Sequence, residues 1–439
     1  MVGYDANPLI NIYAKETLVG TLVFESANNC RFTYDEQWRL EGYPISPHIP
    51  LSGDIHSGAV LNFIRNLFPE GNALDILLET ECISKNNIYA ILKAIGCDTA
   101  GVLTFSDAGF AGQTDKLRPI KDDELVQRLD SGFNMVVWDD KYRLSVAGIQ
   151  DKLNVYIDAS GKMFLADGKY ASSHILKFSP QRFKTVVVNE LFCMRLALAI
   201  GIDVAEVEHK RIGEHSILVV KRFDRRVSAY GVEKRHMIDG CQALNLPPDF
   251  KYEQNFGDNR DVAHIREGVS VKDIFGFADQ CTVPARARQS ILDWVLFNLI
   301  IGNSDAHGKN ISFFISKNKV NVAPFYDLVS VVFEATRQKK LNTNSAMAIG
   351  DNFDINDISA YDLLVMAESC GVKSDFLKRR LSKMIAKLRE VLPIITFAED
   401  GLTNSQLEII ESLKEMIEHR CGLFACQNEM LLKVSHSMG

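Results

Sequence analysis

Nothing in this 439-residue chain reaches the run of about 18 uncharged apolar residues that a membrane-crossing helix needs. The N-terminal Met1-Val2-Gly3-Tyr4-Asp5 has neither the basic nor the apolar region of a secretory leader. No Cys-x-x-Cys pair occurs. The nine cysteines are odd in number and scattered, which argues against zinc and a disulfide framework and fits reduced thiols in a cytosol. Positive charge is not in excess either, since 49 lysines and arginines against 56 aspartates and glutamates leave a net charge of −7. A chain whose main task is coating nucleic acid or an anionic membrane needs the opposite balance. Internal repeats and low-complexity segments are missing as well. What remains is a soluble, cytoplasmic globular protein, too long for one ordinary domain and apolar enough to build two or three cores.

Residues 9–24 alternate and turn like a small antiparallel hairpin, and helical periodicity begins at Val60. The stretch 107–135 is charged and poorly periodic, and reads as a connector. Strands return over 143–157 and 162–178. A long apolar helix runs from about Phe183 to Ile200 and stops at Gly201. The strand Ser216–Val220 leads into Lys221-Arg222-Phe223-Asp224, and from about 236 onward helices dominate. One of them, Ala285 to Ile301, ends at Gly302. The tail is helical and amphipathic over 360–370, 375–391 and 404–433. The pattern is a small α/β module, a strand-rich lobe and a helical lobe.

The chemistry concentrates where the helix ending at Gly302 delivers the chain into Asn303-Ser304-Asp305-Ala306-His307-Gly308-Lys309-Asn310, followed downstream by Pro324-Phe325-Tyr326-Asp327. An aspartate, an asparagine five positions on, and a second aspartate ending an apolar strand are the polar inventory of phosphoryl transfer. Asp305 can orient or deprotonate an attacking hydroxyl. Asn310 and Asp327 offer oxygens to magnesium on the ATP phosphates. The Asp-to-Asn interval is that of the kinase catalytic loop. His307 also admits a metal-hydrolase reading, but no His-Glu-x-x-His or Cys/His cluster completes one. Lys309 is placed to stabilise charge on the transferred phosphoryl group.

Other constellations are weaker alone. Lys177 ends the strand His174-Ile175-Leu176-Lys177-Phe178, where it is either a solvated edge lysine or an inward cation awaiting an anion. Glu190 lies in a helix so apolar that little of it can face water, and a buried carboxylate needs a partner. Pairing it to Lys177 gives the arrangement that aims a lysine at ATP phosphates, though a purely structural ion pair fits the same residues. Ser145-Val146-Ala147-Gly148-Ile149-Gln150-Asp151-Lys152 sits at the turn before a strand, where small residues let backbone N–H groups approach phosphate. Lys221, Arg222 and Phe223 have the character of a hinge that reads adenine. The basic helix carrying Lys378, Arg379, Arg380, Lys383, Lys387 and Arg389 is a solvated face or a phosphate-backbone contact.

With these motifs in this order, the chain resembles the HipA family of bacterial serine/threonine kinases, toxins of toxin–antitoxin pairs, over essentially its full length. Leu61 to Glu70 and Ala100 to Phe105 look like that family's N-terminal module. The resemblance implies an α+β, bilobal protein-kinase-like fold with a strand-rich N-lobe, a helical C-lobe and a small N-terminal α/β subdomain. The boundaries expected are 1–110, 111–223 and 224–439. It implies Asp305 as catalytic base, Asn310 and Asp327 as Mg2+ ligands, Lys177 as the phosphate lysine, and Ala147, Gly148, Ile149, Gln150, Asp151 and Lys152 as the phosphate loop. Lys221, Arg222 and Phe223 would form the adenine hinge, with His307, Gly308, Lys309, Asn310 and Tyr326 lining the ATP site. Ser145 would be the serine autophosphorylated to switch the kinase off. The expected partner is a helix-turn-helix antitoxin of the HipB type, through which operator DNA is reached, and the expected substrate class is aminoacyl-tRNA synthetases. Lys221 departs from the glutamate that family members often carry. A small-molecule phosphotransferase and a catalytically silent corepressor are the competing functions.

Overall fold

The computed structural model describes residues 8–438 apart from 97, 108–115, 133–134, 136, 140, 143–151, 168–169, 181–182, 229–230 and 339–340. The chain divides into two compact units, Met1–Pro180 with Arg211–Ile238 and Phe313–Val320, and Gln181–Lys210 with Asp239–Ser312 and Asn321–Gly439.

In the first unit β1 (Leu9–Ala14), β2 (Thr17–Ser26), β3 (Asn29–Tyr34) and β4 (Leu103–Ser106) form a sheet in the order β3-β2-β1-β4. The alternation that predicts a hairpin is real, burying Ile10 and Ile12 of β1 and Leu22 and Phe24 of β2. Four helices accompany it: α1 (Glu36–Glu41), α2 (Ser57–Arg65), α3 (Asn72–Thr80) and α4 (Ile88–Ile95). In α4 the apolar residues recur at helical spacing, and Ile88, Ile91, Leu92 and Ile95 are all buried.

The supposed connector over 107–135 contains structure. It supplies the edge strand β5 (Lys116–Pro119) and the helix α5 (Asp122–Ser131). Asp122, Asp123 and Glu124 place negative charge at the helix's positive end, and Gly132 closes it with a left-handed φ of 64°. Leu125 alone within α5 is fully buried, so the apolar stripe is too narrow to show as periodicity. A short hairpin, β6 (Val137–Trp138) and β7 (Lys141–Tyr142), follows. Then come β8 (Lys152–Ile157), β9 (Met163–Asp167), β10 (His174–Phe178), β11 (Val207–Ile212) and β12 (His215–Lys221). The sheet order is β11-β12-β10-β8-β9-β5. One face carries a core of Leu153, Val155, Leu176, Phe178, Ile217 and Val219, with Trp138 packed among them. The opposite face carries Lys152, Ile175, Lys177 and Val220.

The second unit is mostly helical: α6 (Val186–Ala199), α7 (Gly240–Ala243), α8 (Val271–Ala278), α9 (Pro284–Ile301), α10 (Val331–Arg337), α11 (Ala360–Ser369), α12 (Ser374–Val391) and α13 (Asn404–Met438). The end of α9 is fixed twice. Gly302 adopts φ 73°, and a Cβ there would approach Val332 Cβ to 2.9 Å, so only glycine fits. Arg420, buried on α13, donates to the carbonyls of Leu299 at 2.7 Å and Ile300 at 3.1 Å, setting a cation at the negative helix end. Among the described residues no helix is long and apolar enough to cross a membrane.

Candidate active site

Beyond Gly302, Asn303 organises the loop. Its side-chain NH2 donates to Asn298 Oδ1 at 2.8 Å and to the Asp327 carbonyl at 3.4 Å, while its Oδ1 accepts the Asp305 N–H at 3.2 Å. One buried amide therefore ties the predicted base to the predicted metal ligand. The Asp305 carbonyl accepts from the His307 N–H at 2.8 Å and from Asn310 Nδ2 at 2.9 Å. With its nitrogen so engaged, Oδ1 is the side-chain oxygen Asn310 has to offer. Asp327 has a φ of 54°, a left-handed conformation that costs a non-glycine residue roughly 1–2 kcal/mol and that aspartate tolerates better than most. A neutral and an anionic oxygen suit magnesium, which takes one or two protein ligands and completes its shell with water and phosphate. Among the described residues no three His, Cys, Asp or Glu side chains cluster to hold a metal without such help.

The remaining loop residues hold the loop's shape. His307 is buried, and burial, with Lys251 and Lys309 adding to it, pushes its pKa well down. Its Nδ1 accepts the Lys309 N–H at 3.2 Å, so the ring is neutral. Gly308 packs so closely that a Cβ would lie 2.6 Å from Val269 Cγ2. Tyr326 donates its hydroxyl to the Lys309 carbonyl at 2.6 Å and shares a hydrogen bond with Ser312 Oγ at 2.8 Å. Burial drives that phenol's pKa well up, so it stays protonated. Lys309 points its ammonium at Asp239 Oδ2, 2.7 Å away, and Asp239 also caps α7. That ion pair balances the charge expected to act on the phosphoryl group and makes Lys309 an anchor of the loop.

On that opposite face of the first unit's larger sheet, Lys177 of β10 is the register partner of Lys152 of β8. Both are buried, at 4% and 3% exposure. Two buried lysines paired across neighbouring strands are tolerated where anionic groups join them. Toward the other end of β10 and β12 the same face turns apolar with Ile175 and Val220. An apolar floor at one end and two cations at the other suit a base followed by phosphates. Ser145, Ala147, Gly148, Ile149, Gln150 and Asp151 lie outside the described residues.

At the hinge, Lys221 is exposed and Phe223 sets its ring edge-on to Phe314, 5.9 Å between centroids. Arg222 differs from expectation. Its guanidinium is buried against Asp224 at 2.9 Å, Ser172 Oγ at 2.9 Å and the Thr99 carbonyl at 3.2 Å, and its N–H donates to Ser173 O. Burial would raise the Asp224 carboxyl, but Arg222 and Arg225 overcome it and hold the group well below the usual carboxylate range. The Arg222 side chain is thus taken up by the fold.

Glu190 is buried at 3% exposure on α6. Its neighbour Asn189 fixes that helix to the segment after Asp327, donating to Ser330 O at 2.9 Å and Glu334 Oε1 at 2.9 Å and accepting the Ser330 N–H at 2.9 Å. Sequence reasoning assigned no role to Asn189, Asn303 or Tyr252. Tyr252 donates its hydroxyl to Asp305 Oδ1 at 2.8 Å. Uncharged hydrogen-bonding residues in apolar runs, such as Asn298 in α9, were the available signal.

Residues 144–392 match the HipA-like C-terminal domain and residues 10–106 the HipA N-terminal domain. The serine/threonine-protein kinase toxin HipA of Shewanella oneidensis is 38% identical over 418 residues, 94% of this chain and 95% of that protein. A putative kinase of Sinorhizobium fredii, Y4mE, is 31% identical over 397 residues, 88% and 91% of the two chains. The solved complex of Shewanella oneidensis HipA, HipB and operator DNA superposes with a TM-score of 0.85 at 37% identity, covering 96% of this chain and 99% of that one. The fold is accordingly kinase-like with an N-terminal subdomain. From both domain matches and similarity over 94% of its length, the chain belongs to the HipA family of protein kinases.

Proposed function

We propose that this protein is the serine/threonine kinase toxin of a bacterial toxin–antitoxin pair, acting in the cytoplasm. The observation that carries the reading is Asn303, which joins Asp305 and Asp327 in one hydrogen-bonded frame. Asp305 accepts the proton of a substrate hydroxyl as its oxygen bonds to the γ-phosphorus of ATP and the bond to the β-phosphate oxygen breaks, releasing ADP. Magnesium, held by Asn310 and Asp327, would neutralise charge on the phosphates. Lys152 and Lys177 supply fixed cations to those phosphates, Glu190 orients Lys177, and the backbone near Lys221 and Phe223 reads the adenine edge.

The Shewanella relative was solved with HipB and operator DNA. A HipB-type helix-turn-helix antitoxin is the partner we assign here, and DNA is reached through it. The basic side of α12 is smaller than its sequence suggests, because Lys387 donates to Ile200 O and Arg380 and Arg389 pair with Asp293 and Glu418. The substrate class we assign is aminoacyl-tRNA synthetases, with self-inactivation through phosphorylation of Ser145, whose added charge of about −1.5 to −2 would repel nucleotide phosphates. Phosphoproteomics of a bacterial host expressing the chain, against an Asp305→Ala control, tests all of this. The expected result is phosphorylated synthetase and phosphorylated Ser145 with the wild type alone. Equal labelling by the control removes the catalytic assignment, and labelling of small molecules only removes the protein-kinase one.

A further inference from the structure

Tyr252 belongs to no motif, yet its hydroxyl donates to Asp305 Oδ1 at 2.8 Å. The surrounding bonds show that this placement is built. On one side of Tyr252, the Lys251 carbonyl accepts the Gly308 N–H of the catalytic loop at 2.9 Å. On the other, the Glu253 N–H donates to Ala346 O at 2.9 Å, and the Ala346 N–H donates to Ser304 O at 2.7 Å. Residues 252–253, 304–305 and 346 therefore close a ring of hydrogen bonds around the base. The buried Glu253 carboxylate accepts the Ala348 N–H at 2.7 Å and pairs with Arg266. The tyrosine ring stands edge-on to His307, centroids 5.2 Å apart and planes at 90°, with the Lys251 ammonium 5.2 Å from the ring centroid.

We infer that Tyr252 is a positioning residue for the kinase reaction, holding Oδ1 of Asp305 so that Oδ2 is presented to the substrate hydroxyl. The inference deepens the proposed function and rests on Asp305 as base. An aspartate χ2 is a broad, roughly two-fold rotor, so an unrestrained carboxylate samples many orientations. A phenol on one oxygen stops that rotation and leaves the two oxygens inequivalent. The held oxygen is the weaker proton acceptor, because its lone pair is already used. The ring contact with His307 transmits the same restraint to the loop backbone.

The Tyr252→Phe variant removes the hydroxyl and keeps the ring. With purified full-length protein, Mg-ATP and a phosphorylatable protein or the chain's own Ser145 as acceptor, we expect kcat to fall by about ten- to a hundredfold, the scale of a misplaced catalytic group. KM for ATP and the magnesium-dependent affinity for ATP stay at wild-type values. Wild-type kcat overturns the inference. So does a parallel loss of ATP affinity, which would make Tyr252 a residue of the fold. The Asp305→Ala variant separates the underlying reading: if it still transfers phosphate, the base assignment fails whatever Tyr252 does.

Discussion

The backbone requirement at Asp327 and its proposed magnesium ligation are separable by two substitutions. Its left-handed backbone, φ 54°, sets a requirement independent of its charge, and its carboxylate is a proposed magnesium ligand. Asp327→Asn keeps a side chain that tolerates this conformation and a neutral oxygen, but removes the charge. Asp327→Ala removes the oxygen and adds the steric cost of a left-handed alanine, about 1–2 kcal/mol. Asn303 donates to the Asp327 carbonyl, not to its side chain, so both variants retain that anchor. Urea unfolding should find the alanine variant less stable than the asparagine variant by roughly that 1–2 kcal/mol. Losing an ionic contact worth about 1.5–3 kcal/mol weakens binding by roughly ten- to 150-fold. Calorimetry with ATP should show that loss in both variants when magnesium is present and little change without it. Unchanged magnesium-dependent affinity in Asp327→Asn would refute the ligand assignment. Equal stability of the two variants would refute the backbone argument.

Lys177→Met and Glu190→Gln should each weaken ATP binding, and the double variant should lose much less than their sum if, as proposed, Glu190 acts through Lys177. Additive losses would leave Glu190 a residue of the helix alone. Asp224→Asn leaves Arg222 and Arg225 with a reduced counter-charge in a buried site, and should cost about 3–5 kcal/mol in urea unfolding; a loss below about 1 kcal/mol, the scale of an exposed pair, would sink the buried-network account. His236, with Nε2 on Ile45 O at 2.7 Å, is pushed down by burial to about 4. Below its ordinary value of 6.5 the unfolded chain gains a proton that the folded chain refuses. Stability from this group is therefore full above that pH and falls toward pH 4, by about 2 kcal/mol at pH 5. A His236→Gln variant with the same pH slope as the wild type contradicts that sign.

What the sequence disclosed was chemistry carried by contiguous residues. Asp305, Asn310 and Asp327 announce themselves because a helix with a glycine stop delivers them in order, and the apolar run of α6 marks Glu190 as buried before any fold is known. The partners of those residues are not contiguous. Lys309 reads as catalytic from the loop alone, since its counter-ion Asp239 lies 70 positions upstream. Tyr252 is 53 positions from the carboxylate it holds, and no local pattern distinguishes it from other aromatic residues. The helix α5 escaped for the opposite reason, because its stabilisation is local but consists of end charges and a glycine cap, with little apolar face.

Arg222 shows the same limit with a consequence for how the chain is organised. Read along the sequence, it belongs to a strand end that turns polar, a natural hinge, and residues 1–110 look like an appended module. In the structure, Arg222 and Arg225 donate to the carbonyls of Thr99 and Gly101, Asp224 accepts the Gly101 N–H at 2.8 Å, and Asp98 pairs with Arg225 at 3.0 Å. These charges are tolerable in the interior because each has partners in both segments. Removing the N-terminal segment would strip two guanidiniums of backbone acceptors and of one carboxylate immediately after the strand that ends at Lys221. The N-terminal segment and the hinge are one electrostatic unit, so a chain beginning near residue 111 starts with a damaged hinge.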